Sequence, residues 1–346
     1  MPWMRAAVLV APRQIELRDV PEPTVGPDDV LVAPRAIGIC GSDMHLYRHG
    51  RIGTSVVERP LILGHEPAGE VVAVGDRVQG LAPGDRVILE PGIACGACFW
   101  CHRGGYNLCP NVRFLGIPPS DGAMADRVAV PSRFVHRMPD GMGWSDGAMI
   151  EPFAIGLQAV KSAGVATGDA VVILGAGPIG LMILQAARIA GATTLIAVDV
   201  AERPLAMARR LGATAALDGR AGGLAERVRE LTEGRGADHA IEAVGAEQTV
   251  RTAVELVRRG GTVTLVGIAA EPGIPLDTIK VVRTGLTIRS SFRYAHVHPA
   301  AIRLAAEGRV DLQTLVTRHY RIEDVAGAFE EVEAKKSEIV KAIVEL

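Results

Sequence analysis

The chain has 346 residues and a formal net charge of −2 with both signs interspersed. That length suits two cored domains, and that charge excludes a basic footprint for nucleic acid or for an anionic membrane. Met1 to Arg13 lacks a basic start followed by an apolar run, so no signal peptide is expected.

The first quarter reads as short strands. Val8 to Val10, Gln14 to Leu17, Val30 to Ala33, Gly69 to Val74 and Arg86 to Leu89 are apolar or alternating runs, punctuated by Pro21, Pro23, Gly26, Pro27, Gly64, Gly75 and Gly84. This is the pattern of a small, irregular, mostly antiparallel barrel. Among these strands, Gly38-Ile39-Cys40-Gly41-Ser42-Asp43-Met44-His45 places a thiol, a hydroxyl and an imidazole within one short turn. Leu63-Gly64-His65-Glu66 adds an imidazole and a carboxylate, and Ile150-Glu151-Pro152 a further carboxylate in an apolar run. A thiolate, an imidazole and a carboxylate suit zinc, and three protein ligands leave a position open for substrate.

Cys95, Cys98 and Cys101 recur at two-residue gaps and Cys109 follows closely. A tetrahedral, closed structural zinc satisfies all four thiols; two disulfides are the alternative. Five cysteines used in this way point to a reducing compartment, so a cytoplasmic location is expected.

From Asp169 the pattern changes. Ala170 to Leu174 is a continuous apolar strand, followed by Gly175-Ala176-Gly177-Pro178-Ile179-Gly180 and a helical run from Leu181 to Ala190. These glycines also break the most apolar stretch of the chain, Ala170 to Ala190, which is too interrupted to read as a membrane span. A second strand, Thr194 to Val198, ends in Asp199, 19 positions after Gly180. Glycines between strand and helix, with an acidic residue closing the next strand, form a dinucleotide-binding fingerprint. Asp199 favours NAD by accepting from the adenosine ribose, whereas Arg203 can accommodate a 2′-phosphate or simply stand solvated at a helix start.

Helices then alternate with strands. Helices are expected over Arg203 to Leu211, Leu224 to Thr232 and Thr249 to Val257, the last ending at Arg259-Gly260-Gly261. Strands are expected over Ala237 to Glu242, Thr262 to Val266 and Leu286 to Ser290. This alternation makes a doubly wound parallel sheet. The chain closes with helix His298 to Glu307, a short strand near Leu315, helix Glu323 to Ala334 and an alternating strand, Ile339 to Val344, able to return to a sheet edge.

Over essentially its whole length the sequence resembles the zinc-dependent medium-chain dehydrogenases, and within them the sorbitol/xylitol (polyol) dehydrogenase branch. The resemblance rests on Gly38 to Asp43, Gly50-Arg51-Ile52-Gly53, Leu63 to Glu66, Pro83 to Val87, Tyr106 to Pro110, Pro118 to Gly122, Ile150-Glu151-Pro152, Gly175 to Gly180 and Phe292-Arg293-Tyr294. It implies an α/β fold: a GroES-like β-rich catalytic domain over 1–155 with a structural zinc lobe at 91–112, a Rossmann domain over 156–290, and a return to the first domain over 291–346.

The same resemblance implies two zinc ions per chain and NAD. Cys40, His65 and Glu66 would hold the catalytic zinc, with Glu151 a further ligand or the holder of a zinc-bound water. Cys95, Cys98, Cys101 and Cys109 would hold the structural zinc. Ser42 would pass the substrate proton through the nicotinamide ribose to His45, and Arg293 and Tyr294 would bind the substrate chain. Val266 and Phe292 would join Gly175, Gly177, Pro178, Ile179, Gly180, Asp199 and Arg203 at the cofactor. The implied reaction oxidises a secondary hydroxyl of a polyol to a ketose. Threonine or a vicinal diol such as 2,3-butanediol is the alternative substrate, and a zinc-free quinone-type reductase the alternative chemistry. Leu46 stands where the family commonly has an aromatic residue. A homotetramer or dimer is expected, with no nucleic-acid or membrane partner.

Overall fold

The computed structural model describes residues 2–269 and 273–346; Met1, at the start of the segment in which no signal peptide is expected, lies outside them. The chain divides into two units: Met1–Glu151 with His298–Gly308 and Leu312–Leu346, and Pro152–Val297 with Arg309–Asp311. Among the described residues no helix is long and apolar enough to cross a membrane.

The first unit is built on a seven-stranded sheet. Its path runs Val135–Arg137, Arg86–Leu89, Glu66–Val74, Asp29–Ile39, Lys341–Glu345, Val316–Arg321, with Val128–Pro131 paired off the path to Asp29–Ile39. Pro34 interrupts the central strand without ending it, because the ladder bulges between Pro34 and Ala36. The last strand differs from its expected place. It does not lie at an edge but is inserted between Asp29–Ile39 and Val316–Arg321, with its first four residues buried. Such a strand carries apolar side chains on both faces, and Ala342, Ile343 and Val344 supply them. Ile37, Leu46, Leu63, Leu89 and Phe329 belong to one core cluster in this unit. Each such burial contributes about 1.5–3 kcal/mol.

Register places the chemistry. Gly38 pairs with Glu66 on one side and with Ile343 on the other. The segment read as one short turn is the nine-residue helix Gly41–His49, which starts directly after Cys40 and stops at Gly50 with φ 63°. Asp43 accepts a hydrogen bond from the Cys40 amide at 2.9 Å, satisfying a donor that the helix start leaves open.

The second unit carries a six-stranded sheet ordered Ala215–Asp218, Thr194–Asp199, Ala170–Leu174, Ala237–Glu242, Val257–Leu265, Thr287–Ser290, parallel throughout. Ala215–Asp218 was not foreseen; its four residues are all half-buried, and its alanines carry no β signal. Nor does a loop separate the helix Glu247–Leu256 from the next strand. Arg259-Gly260-Gly261 lies within the strand, where the ladder jumps from Ala237↔Val257 to His239↔Thr262 and Gly260 takes φ 69°. Val172, Leu174, Ile196, Val198, Ala240 and Val263 form the core of this unit.

Asp238 ties three of these strands together. Its Oδ2 accepts from the Ala170 amide at 2.8 Å and its Oδ1 from Arg258 Nε at 2.6 Å. Burial works to raise its pKa, but the Ala170 amide and the Arg258 guanidinium outweigh it, leaving the carboxyl below its ordinary 3.8. A folded pKa below the unfolded one stabilises the fold above the unfolded value, and that contribution is lost as pH falls through the folded value. Asp238→Asn is therefore expected to cost about 1–2 kcal/mol in urea unfolding near neutral pH, the difference from the parent shrinking as pH falls below the ordinary carboxylate range. Equal midpoints at neutral pH would refute this.

Candidate active site

Two of the donor clusters expected from the sequence assemble in the first unit. The first is Cys95, Cys98, Cys101 and Cys109, whose sulfurs lie within 4.8 Å of one another. The separations are 3.5 Å for Cys98–Cys101 and Cys95–Cys109 and 4.0 Å for Cys95–Cys101. These exceed a disulfide length of about 2.05 Å. They match the edge of about 3.8 Å that a tetrahedron takes with zinc–sulfur bonds of about 2.3 Å. Backbone donors prepare the charge: the Ala97 amide, followed by the Cys109 thiol, pulls Cys95 down to about 6. Burial and the neighbouring Cys98 push Cys101 up to about 11. Four thiols held together cannot all ionise without a cation, and the lobe fits zinc.

The second cluster is Cys40, His65 and Glu66. Cys40 caps the helix Gly41–His49, and Glu66 opens the strand paired with the segment before Cys40, so sheet register and helix start converge at one point. His65 and Glu66 are buried, Glu66 completely. His65 Nδ1 and both Glu66 oxygens lack a hydrogen bond of proper geometry. Ionic contacts nevertheless reach them, from Asp43 Oδ1 at 3.4 Å to His65 and from Lys341 Nζ to Glu66. Burial opposes a charge on His65, yet Asp43 and Cys40 raise its pKa well above the ordinary 6.5. Buried donors of mixed type, under-satisfied by the protein alone, fit a bound zinc with an open position.

Two residues of this site were not singled out from the sequence. Asp43 faces His65 Nδ1, which leaves Nε2 as the donor nitrogen, and also accepts from the Gly64 amide at 3.3 Å. Lys341 is buried against Glu66, and burial, which would neutralise it, is overcome by Glu66, Cys40 and Glu151, so its pKa is raised. Its only sequence signal is a lysine opening an apolar strand. Gly38 makes room for the pair: a Cβ there would stand 1.8 Å from Glu66 Oε2 and 2.9 Å from Lys341 Cε.

Glu151 is buried and acts electrostatically on Lys341, but it is not one of the three clustered donors. Ser42 Oγ lies 3.2 Å from His65 Nε2. His45 stands one turn further along the same helix, half-buried, its pKa lowered by burial and by Arg48 and His49.

In the second unit, Gly175 has φ 94°, and Gly180 packs so closely that a Cβ would lie 1.7 Å from the Gly175 carbonyl oxygen. Gly177, which caps the helix Pro178–Ala190, has nothing within 4 Å of such an atom. A Cβ there would fill open space at a helix N-terminus, the cradle a pyrophosphate needs. Ile179 lies in the first turn of that helix. Asp199 closes its strand, accepting from the Ala176 amide at 2.7 Å and the Ala201 amide at 2.9 Å, while Arg203 is exposed. Val266 follows the strand Val257–Leu265 and is half-buried. Phe292 is exposed, Arg293 stacks its guanidinium 4.6 Å from the Phe292 ring with φ 53°, and Tyr294 is buried.

The family profile described as "Alcohol dehydrogenase GroES-like domain" matches residues 26–140, and that described as "Zinc-binding dehydrogenase" matches residues 178–307. A sorbitol dehydrogenase of Bacillus subtilis is 40% identical over 341 residues, covering 99% of this chain and 97% of its own. A D-xylulose reductase of Morganella morganii is 39% identical over 331 residues, covering 94% of this chain and 97% of its own. A crystal structure of a zinc-binding dehydrogenase from Sinorhizobium meliloti bound to NADP superposes with TM-score 0.93 at 35% identity, covering 100% of both chains.

Asp43→Asn is expected to weaken zinc at Cys40–His65–Glu66 by about 10- to 100-fold in chelator competition while the four-cysteine lobe keeps its ion. Gly180→Ala is expected to cost about 3 kcal/mol of stability through overpacking. Gly177→Ala should leave stability unchanged and weaken NAD binding about tenfold, or about 1.4 kcal/mol, by titration calorimetry. The opposite pattern for the two glycines would remove the cofactor from this loop.

Proposed function

The chain belongs to the zinc-dependent medium-chain dehydrogenases, and from that premise we propose that it oxidises a secondary hydroxyl of a sugar alcohol to a ketose. It is an oxidoreductase acting on CH–OH donors with zinc and NAD. The observation that carries the reading is the Cys40–His65–Glu66 donor set, two of its three members buried, in a chain with full-length similarity to a sorbitol dehydrogenase and a D-xylulose reductase.

Cys40, His65 and Glu66 would hold the catalytic zinc, and the four-cysteine lobe the structural one. Zinc in the first site supplies a Lewis acid that lowers the pKa of a substrate hydroxyl, and bound NAD supplies the hydride acceptor. Asp43 fixes the ring of His65, and Lys341 balances the charge of Glu66. Glu151 adds a second carboxylate for positioning water or substrate.

Ser42 carries the substrate proton toward His45. Burial and two basic neighbours keep His45 neutral near neutral pH, the form that accepts a proton. Arg293, held in left-handed backbone beside Phe292, and Tyr294 bind the polyol chain; backbone strain of this kind concentrates at functional positions.

Gly175, Gly177, Pro178, Ile179 and Gly180 cradle the pyrophosphate, Asp199 binds the adenosine ribose, and Val266 and Phe292 flank the cofactor. The carboxylate at Asp199 favours NAD. Arg203, exposed on the helix that follows Asp199 in the chain, is the residue through which NADP would be accepted, the cofactor held by the Sinorhizobium meliloti relative.

Two copies or more assemble through the edge of the parallel sheet. The edge strand Thr287–Ser290 is exposed along its length, and Ile279, Val282 and Ile288 of the same unit are exposed apolar residues. A reducing, cytoplasmic setting agrees with the five free cysteines.

The test is NADH formation from NAD with sugar alcohols, threonine and 2,3-butanediol, repeated after chelation and after zinc is restored. Expected is zinc-dependent turnover of sorbitol, xylitol or a related polyol, with little from NADP. Activity confined to threonine or butanediol would discard the Arg293–Tyr294 pocket, and turnover surviving complete zinc loss would discard the catalytic metal site.

A further inference from the structure

Glu90, His136 and His298 form another donor group in the first unit, their ligand atoms all within 4.8 Å of one another. It is separate in sequence from both zinc clusters. Three elements of the fold bring the group together. Glu90 follows the strand Arg86–Leu89, its amide donating to the Phe134 carbonyl at 2.8 Å. His136 lies on Val135–Arg137, in register with Ile88 of that strand, and His298 opens the helix His298–Ala306. Glu90 and His298 are 3% and 0% exposed, whereas the His136 side chain is 20% exposed.

The donor atoms are spaced as a coordination sphere would space them. Glu90 Oε1 accepts from the Tyr106 hydroxyl at 2.7 Å, which leaves Oε2 toward the two imidazoles. His136 Nε2 stands 3.2 Å from Oε2 and His298 Nδ1 stands 3.4 Å from it. The two rings are stacked, 8° from parallel with centroids 5.3 Å apart, and both present a nitrogen to the same oxygen. A tetrahedral zinc about 2.0–2.1 Å from nitrogen and oxygen donors places those donors about 3.3 Å from one another. Two imidazoles with one carboxylate suit a transition ion such as zinc rather than magnesium or calcium.

We propose that Glu90, His136 and His298 bind a further zinc ion, distinct from the catalytic and the four-cysteine sites. Tyr106 orients the carboxylate from outside the sphere, as outer partners of metal ligands do. Since Tyr106 lies between Cys101 and Cys109, this ion links the cysteine lobe to the sheet and to the start of helix His298–Ala306. The partly exposed His136 is the route by which the ion exchanges with solution.

The experiment measures zinc per chain by mass spectrometry in the parent, His136→Gln and Glu90→Gln, each equilibrated with zinc and freed of excess by gel filtration. Expected is a difference of one zinc per chain between the parent and each variant. His136→Gln, altered at a partly exposed position, should keep cooperative unfolding and NAD-dependent turnover. Equal zinc content in the parent and a folded His136→Gln would overturn the site, leaving a hydrogen-bonded network in its place. Because the readout is a difference, it does not depend on the occupancy of the catalytic site. Cadmium NMR of the substituted parent decides without any variant: a resonance of an all-nitrogen-and-oxygen site, beside those of sulfur-containing sites, supports the proposal, and its absence overturns it.

Discussion

The first unit depends on how buried charge is balanced around Gly38. Glu66 is fully buried and Lys341 nearly so, with Cys40, His65 and Asp43 beside them. A carboxylate left alone there would cost several kcal/mol, so the arrangement stands only if a cation meets it. The ladder brings Glu66 to one side of Gly38 and the C-terminal strand to the other, and the missing Cβ leaves space for the two side chains to touch. The site is thereby closed by the last strand of the chain, which explains why that strand is buried within the sheet.

The two cysteine-containing clusters solve opposite problems with related ligands. The four-sulfur lobe has every donor supplied by the protein; the Ala97 amide and the Cys109 thiol draw Cys95 toward ionisation, while burial and Cys98 hold Cys101 back. Nothing is left open, which suits a structural ion. The Cys40–His65–Glu66 set has three donors of mixed hardness, two of them buried, with a hydroxyl and a titratable imidazole on the adjoining helix. Three protein donors instead of four suit an ion that keeps a position open for substrate.

In the second unit three glycines serve three purposes. Gly175 supplies left-handed backbone, Gly180 allows helix to meet strand, and Gly177 keeps space clear in front of the helix N-terminus. Asp199 is held by two amides, which fixes where its remaining lone pairs point.

The parallel strands and their glycine loop were legible in the sequence because continuous apolar runs and helix periodicity are local signals; Ala170–Leu174 and Ala237–Glu242 fall where they were expected. That both donor clusters come together was legible too, since zinc demands particular donor types and the cysteines crowd together. What was missed has no local signature. Ala215–Asp218 is a strand because its neighbour pairs with it, and Arg259-Gly260-Gly261 continues a strand because a bulge absorbs its turn residues. Asp43 looks like an ordinary helix-start residue until His65 arrives, and Lys341 becomes the partner of Glu66 only when the last strand inserts beside Gly38. The sequence by itself determined the donor types, the cofactor loop and the class of chemistry, because these are set by residue identity at short range. The tertiary structure alone decided which buried charges face one another, because pairing between distant strands places groups that no spacing along the chain encodes.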